Sequence, residues 1–253
     1  MIHESAARGY ARAPDDYERG RPSYPAAAID CLAEQLGIRP GARVLDLAAG
    51  TGKLTRALVP TGAQVVAVEP VDSMRAKIVQ SLPTVEVLSG TAEAIPLADG
   101  SVDAVAVGQA FHWFRGDRAL AEIRRVLRPG GRLGLIWNAR DEREPVAREL
   151  TEVLEPYRAD APAYRSGAWR AAFERTTLFT PLEHAEFRLD HELDVEGLVA
   201  RATSVSFIAA LPADERAKVA ERVRALVPGR DLVVLPYRTD VFWCAALVAA
   251  TDD

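Results

Sequence analysis

The residues best placed to do chemistry are two carboxylates set around a pair of glycines. Asp46 lies in the apolar run Arg43 to Leu47, Gly50 and Gly52 follow it, and Glu69 closes a second apolar run, seventeen residues after Gly52. Glycine has no Cβ, so a chain turning there can lie against a ligand through bare peptide groups. A carboxylate at a strand tip can accept two hydroxyl donors, one on each oxygen. The pattern predicts a nucleotide-type ligand received where a strand of an open α/β sheet turns into a helix, with Glu69 on its ribose. A further cluster, Gly108-Gln109-Ala110-Phe111-His112-Trp113-Phe114, ends a later apolar run. Its rings could wall a dry cavity tolerant of a cation, or fill core. His112 could take a proton from a phenol or alcohol, hydrogen-bond the ligand, or pack.

Spacing separates the possible loops. A phosphate-binding P-loop would need glycine where Leu47 stands and a hydroxyl where Leu54 stands, so that reading is rejected. A dinucleotide fingerprint would need a third glycine at Thr55. What remains is an acid followed by small residues at alternate positions, Asp46, Ala48, Gly50 and Gly52. This stretch resembles motif I of the class I S-adenosylmethionine-dependent methyltransferases, with Ala48 in place of the usual first glycine.

Three more segments carry the resemblance in order. Ser89-Gly90-Thr91-Ala92-Glu93-Ala94-Ile95-Pro96-Leu97 is similar to the family's adenine-capping segment, with Thr91 where many relatives have Asp. Leu127-Arg128-Pro129-Gly130-Gly131 resembles its helix-to-strand turn. Tyr17 to Pro25, including Arg21, Pro22 and Tyr24, is similar to an arm that helps close over the cofactor in small-molecule methyltransferases; a surface arm pinned by aromatics is the alternative. The branch containing trans-aconitate methyltransferase looks nearest.

The resemblance implies a Rossmann-like α/β fold: a mostly parallel seven-stranded sheet with helices on both faces, an antiparallel last strand and helical lid elements. It implies S-adenosyl-L-methionine as cofactor, in-line transfer of its methyl group and S-adenosyl-L-homocysteine as product. Cofactor contacts are expected at Asp46, Ala48, Gly50, Thr51, Gly52, Glu69, Pro70, Thr91, Ala92, Glu93 and Gln109. Acceptor contacts are expected at Tyr17, Arg21, Phe111, His112, Trp113 and Arg140, with His112 as base or orienter and no metal. The expected acceptor is a small molecule methylated on a carboxylate or hydroxyl oxygen. Carbon methylation of a quinone-like metabolite and a non-catalytic cofactor binder are the alternatives. A nicotinamide oxidoreductase on the same sheet is disfavoured by the residue at Thr55.

The elements that must position these residues follow from periodicity and turn signals. Helices are predicted over Ala26 to Leu36, roughly Thr51 to Val59, Asp72 to Leu82 and from an Asp117 N-cap to Pro129. Strands are predicted at Gln64 to Glu69, Thr84 to Leu88, Val102 to Val107 and Leu133 to Trp137. Arg140 to Tyr157 reads as helical, Glu183 to His191 as an exposed strand, Val195 to Ala210 and Ala213 to Leu226 as helices, and Leu232 to Leu247 as the last strand region. Arg140, Arg165, Arg201 and Arg238 could grip an acidic acceptor or serve as surface ion pairs.

The 253 residues, 49% of them hydrophobic, suffice for one elaborated domain over 1–253. Residues 1–40 form its arm and first helix, 41–138 its cofactor core, and 139–253 its acceptor side. Net charge is −5 with basic residues scattered, which argues against nucleic acid as a partner. Cys31 and Cys244 form no metal-ligand or disulfide pattern. No stretch reaches the roughly 20 apolar residues of a membrane span. A cytoplasmic monomer or homodimer is expected.

Overall fold

The structure is a computed structural model and describes residues 21–159 and 162–247. The expectation on Tyr17 lies outside the described residues. Seven strands form one sheet in the order β3-β2-β1-β4-β5-β7-β6. They are β1 (Arg43–Leu47), β2 (Gln64–Val68), β3 (Glu86–Leu88), β4 (Val102–Gly108), β5 (Leu127–Arg140), β6 (Glu183–Leu193) and β7 (Val233–Ala245). The pairs β1/β2, β1/β4, β2/β3 and β4/β5 are parallel, and the last strand runs against the others, as the resemblance implies.

The chain divides into two compact units. In the first, Tyr24–Trp137, Pro162–Phe187 and residues 239–247, period-two alternation buries both faces of the sheet. Val44, Ala104, Ala106 and Ile136 pack under helix α1 (Ala26–Leu36), with its Ala28, Ile29, Leu32 and Leu36. Leu45, Leu47, Val105, Val107, Leu133 and Leu135 face the other way, against Leu120 and Ile123 of the helix Gly116–Val126. Between β1 and β4 run α2 (Lys53–Leu58) and α3 (Asp72–Ser81); α4 (Gly116–Val126) precedes β5. The second unit, among the described residues 21–23, 138–159 and 188–238, has its own core. Here α5 (Pro145–Leu154), α7 (Val195–Thr203) and α9 (Ala213–Arg224) bury Leu150, Leu198 and Val219 with Leu235 and Tyr237. The short helices α6 (Ala171–Arg175) and α8 (Ser206–Ala209) complete the described set.

Several boundaries differ from expectation for local reasons. Helix α2 stops at Leu58 and continues only as a 3-10 turn, Val59–Thr61, because Pro60 has no N–H for a helical bond. Asp117 is not the N-cap of α4; Arg115 holds that position, and the Asp117 carboxylate pairs with Arg175 at 3.1 Å from the first turn. Strand β5 begins at Leu127, not Leu133: Val102 pairs with Leu127 and Ala104 with Arg132, so the Arg-Pro-Gly-Gly residues form an irregularity inside the strand. Arg140 ends β5, and Pro145 opens α5 at a position where a proline's missing N–H costs nothing. Among the described residues no helix is long and apolar enough to cross a membrane.

Candidate active site

The site is built at the tips of β1 and β2. As β1 ends, Ala48 and Ala49 both donate their N–H groups to the Val68 carbonyl, at 2.8 and 3.1 Å, which folds the glycine loop against β2. Gly50 then donates to Glu69 Oε2 at 2.9 Å, while Glu69 Oε1 accepts from Val71 N–H at 2.9 Å. Glu69 is 4% exposed, so it is a buried clamp and not a solvated strand end. Burial raises its carboxyl above the usual range, opposed by those two backbone donors and the Arg75 charge. Each Glu69 oxygen keeps a second lone pair for a ligand donor. Pro70 carries the chain from Glu69 to Val71 and is partly exposed.

Three loop positions, Ala48, Gly50 and Gly52, hold backbone in the left-handed region. Gly50 has φ +59°, and the nearest atom to a Cβ there would be the Met74 sulfur at 4.0 Å, so this side of the loop is open to a ligand. Ala48 adopts φ 59° without glycine's freedom. Thr51 and Gly52 are buried and lead into α2.

Asp46 lies beneath the loop, fully buried. Its Oδ2 accepts from the Thr55 hydroxyl at 2.6 Å, and Oδ1 has no hydrogen-bond partner among the described residues. Burial pushes its carboxyl up to about 7, with the Glu69 charge acting in the same direction. An orphaned, buried carboxylate oxygen costs free energy until a donor meets it, which suits a ligand ammonium or a bound water.

The adenine-capping segment is arranged locally. Thr91 bridges to Ala94, and Ala92 is in the core. Glu93 Oε1 accepts the Arg115 N–H at 3.0 Å at the start of α4. Across the loop, Gln109 follows β4 with φ 60° and donates its N–H to the Ile136 carbonyl at 2.9 Å. Strain of this kind concentrates at ligand sites. A Cβ at Gly108 would stand 2.6 Å from the Tyr24 hydroxyl, so a larger residue there would have to displace the end of that side chain.

The aromatic run splits by depth. Phe111 is 1% exposed and packs among Phe114, Trp169 and Phe173, which makes it core. His112 and Trp113 stay partly exposed, with ring centres 5.2 Å apart. Trp137 Nε1 donates to His112 Nδ1 at 3.3 Å. Trp137 in turn stacks on Tyr164 at 4.6 Å, whose hydroxyl donates to Asp240 at 2.7 Å. Arg21 and Arg140 belong to the other unit.

Sequence reading missed Thr55, Trp137, Tyr164 and Asp240 as parts of this arrangement. Thr55 left a signal: it is a hydroxyl on the face of α2 that also buries Leu54 and Leu58. Nothing local marks Tyr164 or Asp240, which meet only through tertiary folding.

A parallel sheet of this strand order, with a glycine loop at the tip of its first strand and a buried acid at the tip of its second, defines a Rossmann-like cofactor-binding enzyme. Residues 45–135 match the family model described as "Methyltransferase domain". An uncharacterized methyltransferase of Mycobacterium tuberculosis is 46% identical over 216 residues, covering 83% of this chain and 82% of the relative. An uncharacterized methyltransferase-like protein of Schizosaccharomyces pombe is 37% identical over 234 residues, 90% of this chain and 91% of the relative. A solved structure from Anaeromyxobacter dehalogenans, assigned to the type II methyltransferases, superposes with TM-score 0.64 at 25% identity over 89% of this chain and 97% of its own. The chain belongs to the class I S-adenosylmethionine-dependent methyltransferases. It is a methyltransferase enzyme, and family and fold imply an S-adenosylmethionine-type cofactor.

Proposed function

We propose that this enzyme methylates an oxygen of a small-molecule acceptor, and that the oxygen belongs to a carboxylate. The observation that carries the choice is the hydrogen bond from Trp137 Nε1 to His112 Nδ1 at 3.3 Å. Indole nitrogen can only donate, so Nδ1 accepts and the imidazole proton resides on Nε2. A ring in that tautomer offers a donor at Nε2 and has no lone pair there to receive a proton. His112 therefore orients an acceptor oxygen and does not deprotonate it. A carboxylate has no proton to remove, whereas an alcohol or phenol would need a base.

S-adenosylmethionine supplies an electrophilic methyl group on a sulfonium. Glu69 would accept the ribose hydroxyls through its remaining lone pairs, and Asp46 Oδ1 would meet the ammonium or its water. The open side of Gly50 would lie against the ligand, and Trp113 would present a ring face that excludes water. Holding two partners in line in this way supplies about 7 to 11 kcal/mol of the barrier reduction for well-oriented reactants.

The test is a radiolabelled-methyl transfer screen across small carboxylic acids, phenols and quinones. Label on the carboxylic acids as base-labile ester supports the reading. Label confined to phenols or to ring carbon would overturn it.

A further inference from the structure

The second unit holds a set of charged side chains that the cofactor loop does not use. Arg201, on α7, is 8% exposed. Its Nε donates to the Tyr237 hydroxyl at 2.8 Å, and its Nη1 is buried with no hydrogen-bond partner among the described residues. Arg140, at the end of β5, makes one hydrogen bond among the described residues, from Nε to Thr151 Oγ1 at 3.0 Å. Burial and then the charge of Arg201 push the Arg140 guanidinium down to about 10. Glu142 is the carboxylate that eases this, and it accepts from Thr151 at 3.0 Å. Arg158 adds to the repulsion, but its own guanidinium is tied to Glu155 at 3.0 Å. Around them the unit is apolar, with Leu150, Leu154 and Leu198 buried.

Arg140, half-buried, and Arg201, buried with an unfilled donor, are two guanidiniums that repel each other, which is unfavourable because desolvating a cation is costly unless an anion pairs with it. A guanidinium fork matches a planar two-oxygen anion better than a point charge. We propose that Arg140 and Arg201 bind the carboxylate of a small organic acid in this unit, with Tyr237 fixing the orientation of the Arg201 fork.

The test is calorimetric titration of the full chain, without cofactor, with succinate, citrate, benzoate and inorganic phosphate. At least one carboxylate should bind, phosphate should bind more weakly, and Arg201→Met should weaken carboxylate binding at least tenfold. Arg201→Lys, which keeps the charge and loses the fork, should also weaken it. Arg201→Met should melt no lower than the parent protein in acid-free buffer, since it removes a buried cation, so lost binding is distinguishable from lost fold. No heat from any carboxylate, equal affinity in both variants, or phosphate binding as tightly as the acids would overturn the proposal. Because no cofactor is present, the result stands apart from the roles given to Glu69 and Asp46.

Discussion

Glu69 and Gly50 are joined by a 2.9 Å hydrogen bond from the loop's N–H to the buried carboxylate, so the acid that would hold the ribose also sets the shape of the glycine loop. Glu69→Ala removes both functions. Each charge-assisted hydrogen bond lost should weaken S-adenosylhomocysteine binding by roughly 1.5 to 3 kcal/mol, a tenfold loss or more. Glu69→Gln should fall between, since an amide keeps one acceptor oxygen but sets an NH2 against a backbone donor. Calorimetric affinities of the three proteins check this; an unchanged value for Glu69→Ala would remove the residue from the site.

Asp46 makes stability depend on pH. Its carboxyl is held near 7 in the folded protein against an ordinary 3.8, so between those values the folded state binds more protons than the unfolded chain. Its contribution is complete at acid pH, declines as pH rises through the folded value, and is level above it. Burial of Glu69 acts in the same direction. At about 1.4 kcal/mol per pH unit, the loss between pH 5.5 and 7 is on the order of 2 kcal/mol. Denaturant unfolding across this range should show that decline, and Asp46→Asn, which never ionises, should flatten it. An equally steep profile in the variant would contradict the assignment.

Trp137 fixes the tautomer of His112, and that bond can be separated from proton transfer. His112→Asn keeps an acceptor for the indole and a donor beyond it. Turnover on a carboxylate acceptor should then stay within about tenfold, with cofactor affinity unchanged. A fall of about 10² to 10⁴ at constant cofactor affinity would mark His112 as a base. Trp137→Phe should lower turnover by releasing the ring.

Ala48 occupies left-handed backbone at φ 59°. An L-residue there costs roughly 1 to 2 kcal/mol, partly offset by the larger unfolded-state entropy of glycine. Ala48→Gly should therefore raise stability by up to about 1 kcal/mol, seen as a melting-temperature increase of roughly 2 to 4 °C. A decrease would show that the alanine methyl is a packing group.

Local signals located the elements of the first unit well. The apolar runs became β1, β2 and β4 with ends within a residue, and α1 spans the residues its apolar face and the Gly37 stop predict. The glycine loop was legible because a turn from a strand into a helix is written in contiguous sequence. Strand β5 was read short because its first pairing, Val102 with Leu127, is a tertiary bond across an irregularity. The partners of His112 and Asp46 lie at Trp137 and Thr55, and only folding brings them into contact. For Arg201 the sequence leaves open a grip on an acidic acceptor or a surface ion pair, because a charged residue in an amphipathic helix shows nothing of its burial. Arg140 to Tyr157 reads as helical, but Arg140 ends β5 and α5 begins only at Pro145, which suits the first turn of a helix.

The most direct test of the account is calorimetric titration of the purified chain with S-adenosylhomocysteine, paired with a melting curve at saturating ligand. Binding at one site per chain is predicted, with stabilisation of about 2.7 kcal/mol at a hundredfold excess over Kd and a matching rise in melting temperature. Neither heat nor a rise in melting temperature would contradict the claim that the loop at Gly50 and the carboxylates Asp46 and Glu69 hold an adenosyl cofactor.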